Sequence, residues 1–128
     1  NLDLLIGSRY LPESKIINWD LSRKLLSASA NFLVKTLLNI EINDFTNGFR
    51  FYSERSAKKI VKKCGNIGGG FIILSEIIVV LNNNNHKIDE VPTIFLNRKR
   101  GKSSVTLKLI IESLFGLFKL VIIKNKLR

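Results

Sequence analysis

The chain has 128 residues, enough for one ordinary domain and too few for two. With 21 Lys and Arg against 10 Asp and Glu, the formal net charge is +11, which points to a polyanionic partner: nucleic acid, anionic lipid or a phosphorylated substrate. A single cysteine excludes an internal disulfide and a cysteine zinc site, and no signal peptide is visible. Lys, Asn and Ile are all abundant, so part of the basic excess is equally consistent with compositional drift on solvated faces. The chain lacks methionine and opens directly into an apolar run, which reads as a piece of a longer protein.

Leu2 to Ser8 reads as a buried strand whose apolar run stops at Gly7. A strand ending in Gly-Ser-Arg places Arg9 at its carboxyl edge, where open α/β sheets bind ligands. A polar loop with Pro12 follows, and then an amphipathic helix from Trp19 to Leu38, with Asp20 offering the N-cap. Arg23, Ser27 and Asn31 recur every four residues and form one polar ridge, while leucines and Phe32 cover the rest of the helix. Arg9, Arg23 and Ser27 thus combine guanidinium forks with a hydroxyl, the groups that bind a phosphate. Two solvated surface charges would satisfy the same spacing.

Ile40 to Ile42 makes a short turn or strand. From Asp44 to Tyr52 the β-favouring Phe45, Phe49 and Phe51 surround Gly48, which permits a turn or a close approach. A short helix begins at Ser53 or Glu54, with Ala57, Ile60 and Val61 expected inward and Lys58, Lys59, Lys62 and Lys63 outward. Cys64 to Gly70 is a glycine-rich loop without the spacing of a phosphate-cradling motif. Phe71 to Leu81 is an apolar helix with one acid, Glu76, and it ends in the asparagine tract 82–85. His86 reads as a bystander in that asparagine-rich loop. A buried acid needs a partner or a role, which singles out Asp44 and Glu76.

Ile88 to Leu96 is strand-like, with Pro92 marking an edge or a bulge, and Asn97 to Ser104 is a basic loop. The tail from Val105 to Arg128 is apolar but carries Lys108, Glu112 and Lys119, which argues against a simple membrane span. It reads as an amphipathic helix in the membrane interface, with Lys124, Lys126 and Arg128 near headgroups. Packing on its own domain or on a neighbouring subunit is the other reading. Aromatics do not interleave with lysines, so no stacking platform for nucleic acid is evident.

Five blocks occur in one order: Gly7-Ser8-Arg9-Tyr10; Asn18-Trp19 with the run Leu21 to Ser27; Asp44 to Arg50; Glu90-Val91-Pro92; and Arg98 to Ser103. This order resembles the carboxyl-terminal half of family 2 glycosyltransferases of the dolichol-phosphate mannosyltransferase type, over nearly the whole chain. The resemblance implies an α/β chain, a partial GT-A nucleotide-sugar transferase fold over residues 1–104, with an amphipathic, juxtamembrane helix over 105–128. It implies sugar transfer, with inversion, from a nucleotide-sugar to a polyprenyl phosphate at the cytoplasmic face of a membrane. By resemblance Arg9, Arg23 and Ser27 grip the acceptor phosphate, Asp44 stands at the reaction centre, and Arg98, with Lys102 nearby, meets the donor diphosphate. A divalent metal, Mg or Mn, is implied for the intact enzyme with its ligands mostly outside this chain; no Asp-x-Asp pair occurs in it. The fragment alone is then expected to be inactive, and a homo-oligomer is left open. The rival reading is a non-catalytic, basic membrane-surface or lipid-phosphate binding fragment. The sequence departs from the family pattern at Leu74, where Gln is frequent, and at Ser104, where Lys is frequent.

Overall fold

A computed structural model describes residues 2–97 and 106–127. It is mixed α/β. In chain order the elements are β1 (Leu4–Ser8), β2 (Lys15–Ile17), α1 (Leu21–Leu38), β3 (Arg50–Tyr52), α2 (Glu54–Lys63), α3 (Ile72–Asn83), β4 (Ile88–Pro92), β5 (Ile94–Leu96) and α4 (Leu107–Ile123). A 3-10 turn, Lys124–Lys126, follows α4.

β1 is the middle strand of a three-stranded sheet, antiparallel to β3 and parallel to β4. Its register places Leu5 opposite Phe51 on one side and Asp89 on the other. Leu4 and Ile6 are sealed in the core with Phe45, Ile78, Leu81 and Leu120. Gly7 is required where it stands: a Cβ there would collide with the Phe49 ring and come within 2.9 Å of Thr93 Cγ2. α3 is apolar on nearly every side and accordingly buried from Ser75 to Leu81. Packed around it are α2, α4 and β4.

Pro92 ends β4 on an edge strand, as a residue without an N–H must. The expected single strand over Ile88–Leu96 therefore breaks at Thr93. Its second part, β5, leaves the first sheet and pairs in parallel with β2. β2 lies inside the segment read as loop, because its partner is almost eighty residues away and Lys15-Ile16-Ile17 carries no alternation of its own. Thr93 joins the two sheets: its N–H donates to the Ser8 carbonyl at 3.1 Å, and its carbonyl accepts from the Lys15 N–H at 3.0 Å. Ile40–Ile42 forms no strand, although Ile42 is buried.

Two surface helices, α1 and α2, differ from a simple amphipathic reading. On α1 the polar ridge faces the domain, with Asn31 buried, while Leu21, Leu25 and Phe32 point outward at 71%, 58% and 73% exposure. Asp20 occupies the N-cap position of α1, yet its side chain makes no capping bond. On α2 the register is set by Ser53, whose Oγ caps the Ser56 N–H at 3.2 Å, and by the Ser56 hydroxyl, which donates to the Asp3 carbonyl. Ser56 is therefore the buried position; Ala57 and Val61, expected inward, are exposed.

The tail packs on the rest of the chain through Gly116, Leu117 and Leu120. A Cβ at Gly116 would stand 2.9 Å from Ile72 Cγ1, so the glycine lets α4 close on α3. Lys124 Nζ donates to the carbonyls of Leu37 and Leu38 at the end of α1. The opposite face of α4 leaves Leu107, Phe115, Phe118 and Ile122 exposed. Among the described residues no helix is long and apolar enough to cross a membrane.

Candidate functional site

The carboxyl end of β1 delivers Arg9 into a buried, polar pocket of bonds. Arg9 Nε donates to Asp44 Oδ2 and Nη2 to Asp44 Oδ1, both at 2.7 Å. Nη2 also donates to Thr46 Oγ1 at 2.7 Å. The Asp44 carboxylate further accepts the backbone N–H groups of Arg9, Thr46 and Asn47. Asp44 is fully buried, and both its oxygens are occupied. A carboxylate held in this way orients its neighbours; it has no free lone pair aimed at a reacting proton.

The loop that carries Asp44 is fastened from three directions. Asn31, on the α1 ridge, accepts the Phe45 N–H on its Oδ1 at 2.7 Å and donates from Nδ2 to Thr46 Oγ1 at 3.2 Å. Glu90 on β4 accepts the N–H groups of Asn43 and Asp44 at 2.8 and 2.9 Å. Arg50 donates to the carbonyls of Asn47, Leu74 and Phe45, each at 2.8 Å, which ties the loop to α3. Burial pushes the Arg50 guanidinium down from its ordinary pKa.

Arg23 reaches the same place from α1. Its Cζ lies 4.1 Å from the centroid of the Trp19 ring, and Arg9 Cζ lies 5.5 Å from it. Nη1 of Arg23 donates to Asn97 Oδ1 at 3.0 Å. Thus Arg9 and Arg23 converge on one indole. They differ in electrostatic state, since Arg9 faces the Asp44 carboxylate while the recorded partner of Arg23 is a neutral amide. One helical turn further on, Ser27 Oγ accepts the Tyr10 hydroxyl at 2.5 Å. Among the described residues the serine's own proton meets no acceptor, which suits it to donate to a ligand.

Asn31, Glu90, Arg50, Tyr10 and Trp19 take places in the site that their local sequence does not indicate, whereas Thr46, an expected hydrogen-bond partner of Asp44, meets it through its backbone N–H. Asn31 is the third member of the ridge, and Glu90, Arg50, Tyr10 and Trp19 lie inside the five blocks. Arg98 and Lys102, expected at the donor diphosphate, lie outside the described residues. Glu76 is sealed in α3, where its Oε2 accepts the Gly65 N–H at 3.0 Å and anchors the glycine-rich loop. His86, read as a bystander, is buried, with Nδ1 3.5 Å from Asp3 Oδ1 at the opposite end of β1.

Among the described residues no three His, Cys, Asp or Glu side chains cluster as metal ligands. Asp44, the acid nearest the arginines, is saturated by donors. The described residues therefore do not fit a divalent cation.

Comparison with known proteins finds two similar transferases. The chain is 34% identical over 113 residues to a polyprenol monophosphomannose synthase of Mycolicibacterium smegmatis, covering 88% of this chain and 42% of that protein. It is 30% identical over 105 residues to an undecaprenyl-phosphate mannosyltransferase of Micrococcus luteus, covering 81% of this chain and 42% of that one. The chain is homologous to part of the polyprenyl-phosphate mannosyltransferases. No family model matches it. The chain spans 42% of the length of these curated relatives. The resemblance carried by the five blocks is thereby borne out for this polyprenyl-phosphate mannosyltransferase homologue.

Proposed function

We propose that this chain forms the acceptor-phosphate half of a family 2, GT-A glycosyltransferase that moves a mannose-class sugar from a nucleotide-sugar to a polyprenyl phosphate. The observation that carries the reading is the convergence of Arg9 and Arg23 on Trp19, one helical turn from the Ser27 hydroxyl. The names of the two relatives supply the acceptor class.

A phosphate monoester is already an anion near neutral pH and needs little help from a general base. In the proposed reaction its oxygen attacks the anomeric carbon with inversion as the nucleoside diphosphate leaves. The residues of this chain then place the nucleophile and compensate charge. Arg23, which faces no carboxylate among the described residues, presents its guanidinium to the phosphate. Ser27, held by Tyr10, donates its hydroxyl proton to a second phosphate oxygen. Arg9 shares its charge with Asp44 and fixes the loop from which Asp44 orients the site. Arg98 and Lys102 are assigned to the donor diphosphate. The division into a transferase part, 1–104, and a membrane-facing helix, 105–128, belongs to the same proposal.

The apolar outer faces of α1 and α4 are proposed to rest on the cytoplasmic face of the membrane. The two helices touch, and both turn large apolar side chains outward. The lipid tail would then lie beside α1 while its phosphate meets the ridge on the inner side.

The test is direct. Arg23→Ala should weaken binding of farnesyl phosphate by about 2–4 kcal/mol, the range for truncating one partner of a desolvated charged pair. Farnesol should bind equally poorly to both forms. Wild-type affinity in Arg23→Ala would reject the phosphate site, and binding without turnover in the full-length protein would favour the non-catalytic module.

A further inference from the structure

Trp19 is the single tryptophan of the chain and sits on the bridge between β2 and α1. Asn18, in the left-handed region at φ 60°, turns the backbone just before it, a conformation asparagine tolerates. The indole is 8% exposed and meets Phe95 edge to face, with centroids 5.4 Å apart and planes at 79°. The Phe95 ring is also 5.7 Å from Arg9 Cζ, and the Tyr10 ring 5.5 Å. Arg9 is thus walled by three aromatic rings, one of which also carries Arg23.

We infer that Trp19 is a positioning residue for phosphate recognition: its ring holds the Arg23 guanidinium at a set distance from the Arg9–Asp44 pair. The inference rests on the proposed phosphate site. A free arginine side chain samples many rotamers, and an anion must order it on binding. An indole face 4.1 Å away, together with the Asn97 bond, orders it beforehand. Trp19 itself is anchored on the side of Phe95 and Arg9, so its position follows β5 and β1. Arg23, on a helix whose outer face is unpacked, is thereby referenced to the sheet.

The ring, and not the indole N–H, performs this task. Nε1 is buried and finds no acceptor among the described residues. Leaving a buried donor unpaired is unfavourable, so phenylalanine at this position would keep an aromatic face without that cost.

The experiment uses the 128-residue chain, farnesyl phosphate as probe, and titration calorimetry. Trp19→Leu should weaken binding by roughly two- to thirtyfold, the span expected for an exposed to a desolvated cation–π contact. Trp19→Phe should restore most of that affinity. In the Arg23→Ala background Trp19→Leu should cause no further loss, because the tryptophan acts through that arginine. Additive losses, or equal losses in the Phe and Leu variants, would overturn the inference. If Trp19→Leu does not fold, the cycle is run with Trp19→Met, which fills the site without an aromatic face, and unchanged affinity of that variant in the presence of Arg23 sinks the inference too. Should Arg23→Ala bind normally, the phosphate site itself fails; should only the Trp19 series bind normally, the site stands and the positioning role fails.

Discussion

Arg9 and Asp44, thirty-five residues apart, form a two-pronged ion pair with both N–O distances at 2.7 Å and side chains 7% and 0% exposed. Such a pair, once desolvated, makes each partner dependent on the other. Arg9→Ala should leave Asp44 buried and unpaired and cost about 3–5 kcal/mol of folding stability, measured by urea unfolding. Replacing both residues by apolar ones of similar volume should recover much of that loss. A single substitution costing under about 1 kcal/mol would show that the pair is not desolvated in solution.

At the other end of β1, Asp3 anchors the turn into β4. The backbone N–H of Lys87, donating to Asp3 Oδ2 at 3.1 Å, is the main cause holding its pKa below the ordinary value of 3.8; Ser53, Arg55 and His86 add to it, and burial opposes. A carboxyl with a depressed folded pKa stabilises the fold fully above its unfolded value. That stabilisation is lost as pH falls through the folded value. Thermal stability should therefore drop on acidification below pH 3.8, and Asp3→Asn should flatten that acid limb. An unchanged acid limb in the variant would remove Asp3 from the account.

Cys64 follows the opposite sign. Burial first, and the Glu76 carboxylate second, push its thiol up to about 12. The thiolate, the reactive form, is then scarce at pH 8. Alkylation of folded protein by iodoacetamide at pH 8 should be many times slower than in urea, where the thiol returns to its ordinary range. Equal rates would mean that the α2–α3 junction is open.

The outward faces of α1 and α4 give a membrane test separable from folding. Phe32 and Phe115 are 73% and 72% exposed, so Phe32→Ser and Phe115→Ser should change stability by no more than about 0.5 kcal/mol. Both should reduce co-sedimentation with anionic vesicles, and together more than singly. Salt should weaken the remainder, which comes from the basic surface. Undiminished vesicle binding in the double variant would place the membrane contact elsewhere.

Much of the site's membership was legible in order along the chain. Arg9 follows from a strand that ends at Gly-Ser-Arg, and Arg23, Ser27 and Asn31 from a spacing of four on one helix. The partners were not legible. Nothing in the residues around Arg9 says that its guanidinium meets Asp44 and not solvent, and nothing around Glu90 says that it holds the backbone of Asn43 and Asp44. Those bonds join segments separated by 35 to 47 residues. The α1 face illustrates the same limit: helical periodicity sorts polar from apolar residues, but it does not say which set turns inward.

By itself, the sequence determined what is written in local chemistry: the helices and their periods, the strand that presents Arg9, the edge character of Pro92, and similarity to part of the polyprenyl-phosphate mannosyltransferases. These depend on neighbours within a few residues or on ordered blocks. Tertiary structure alone decided that α1 turns its polar ridge inward, that a second small sheet joins β2 to β5, and that both arginines share the Trp19 ring. Each of these outcomes depends on contacts between distant segments, whose free energy exists only once the chain has closed the loops between them.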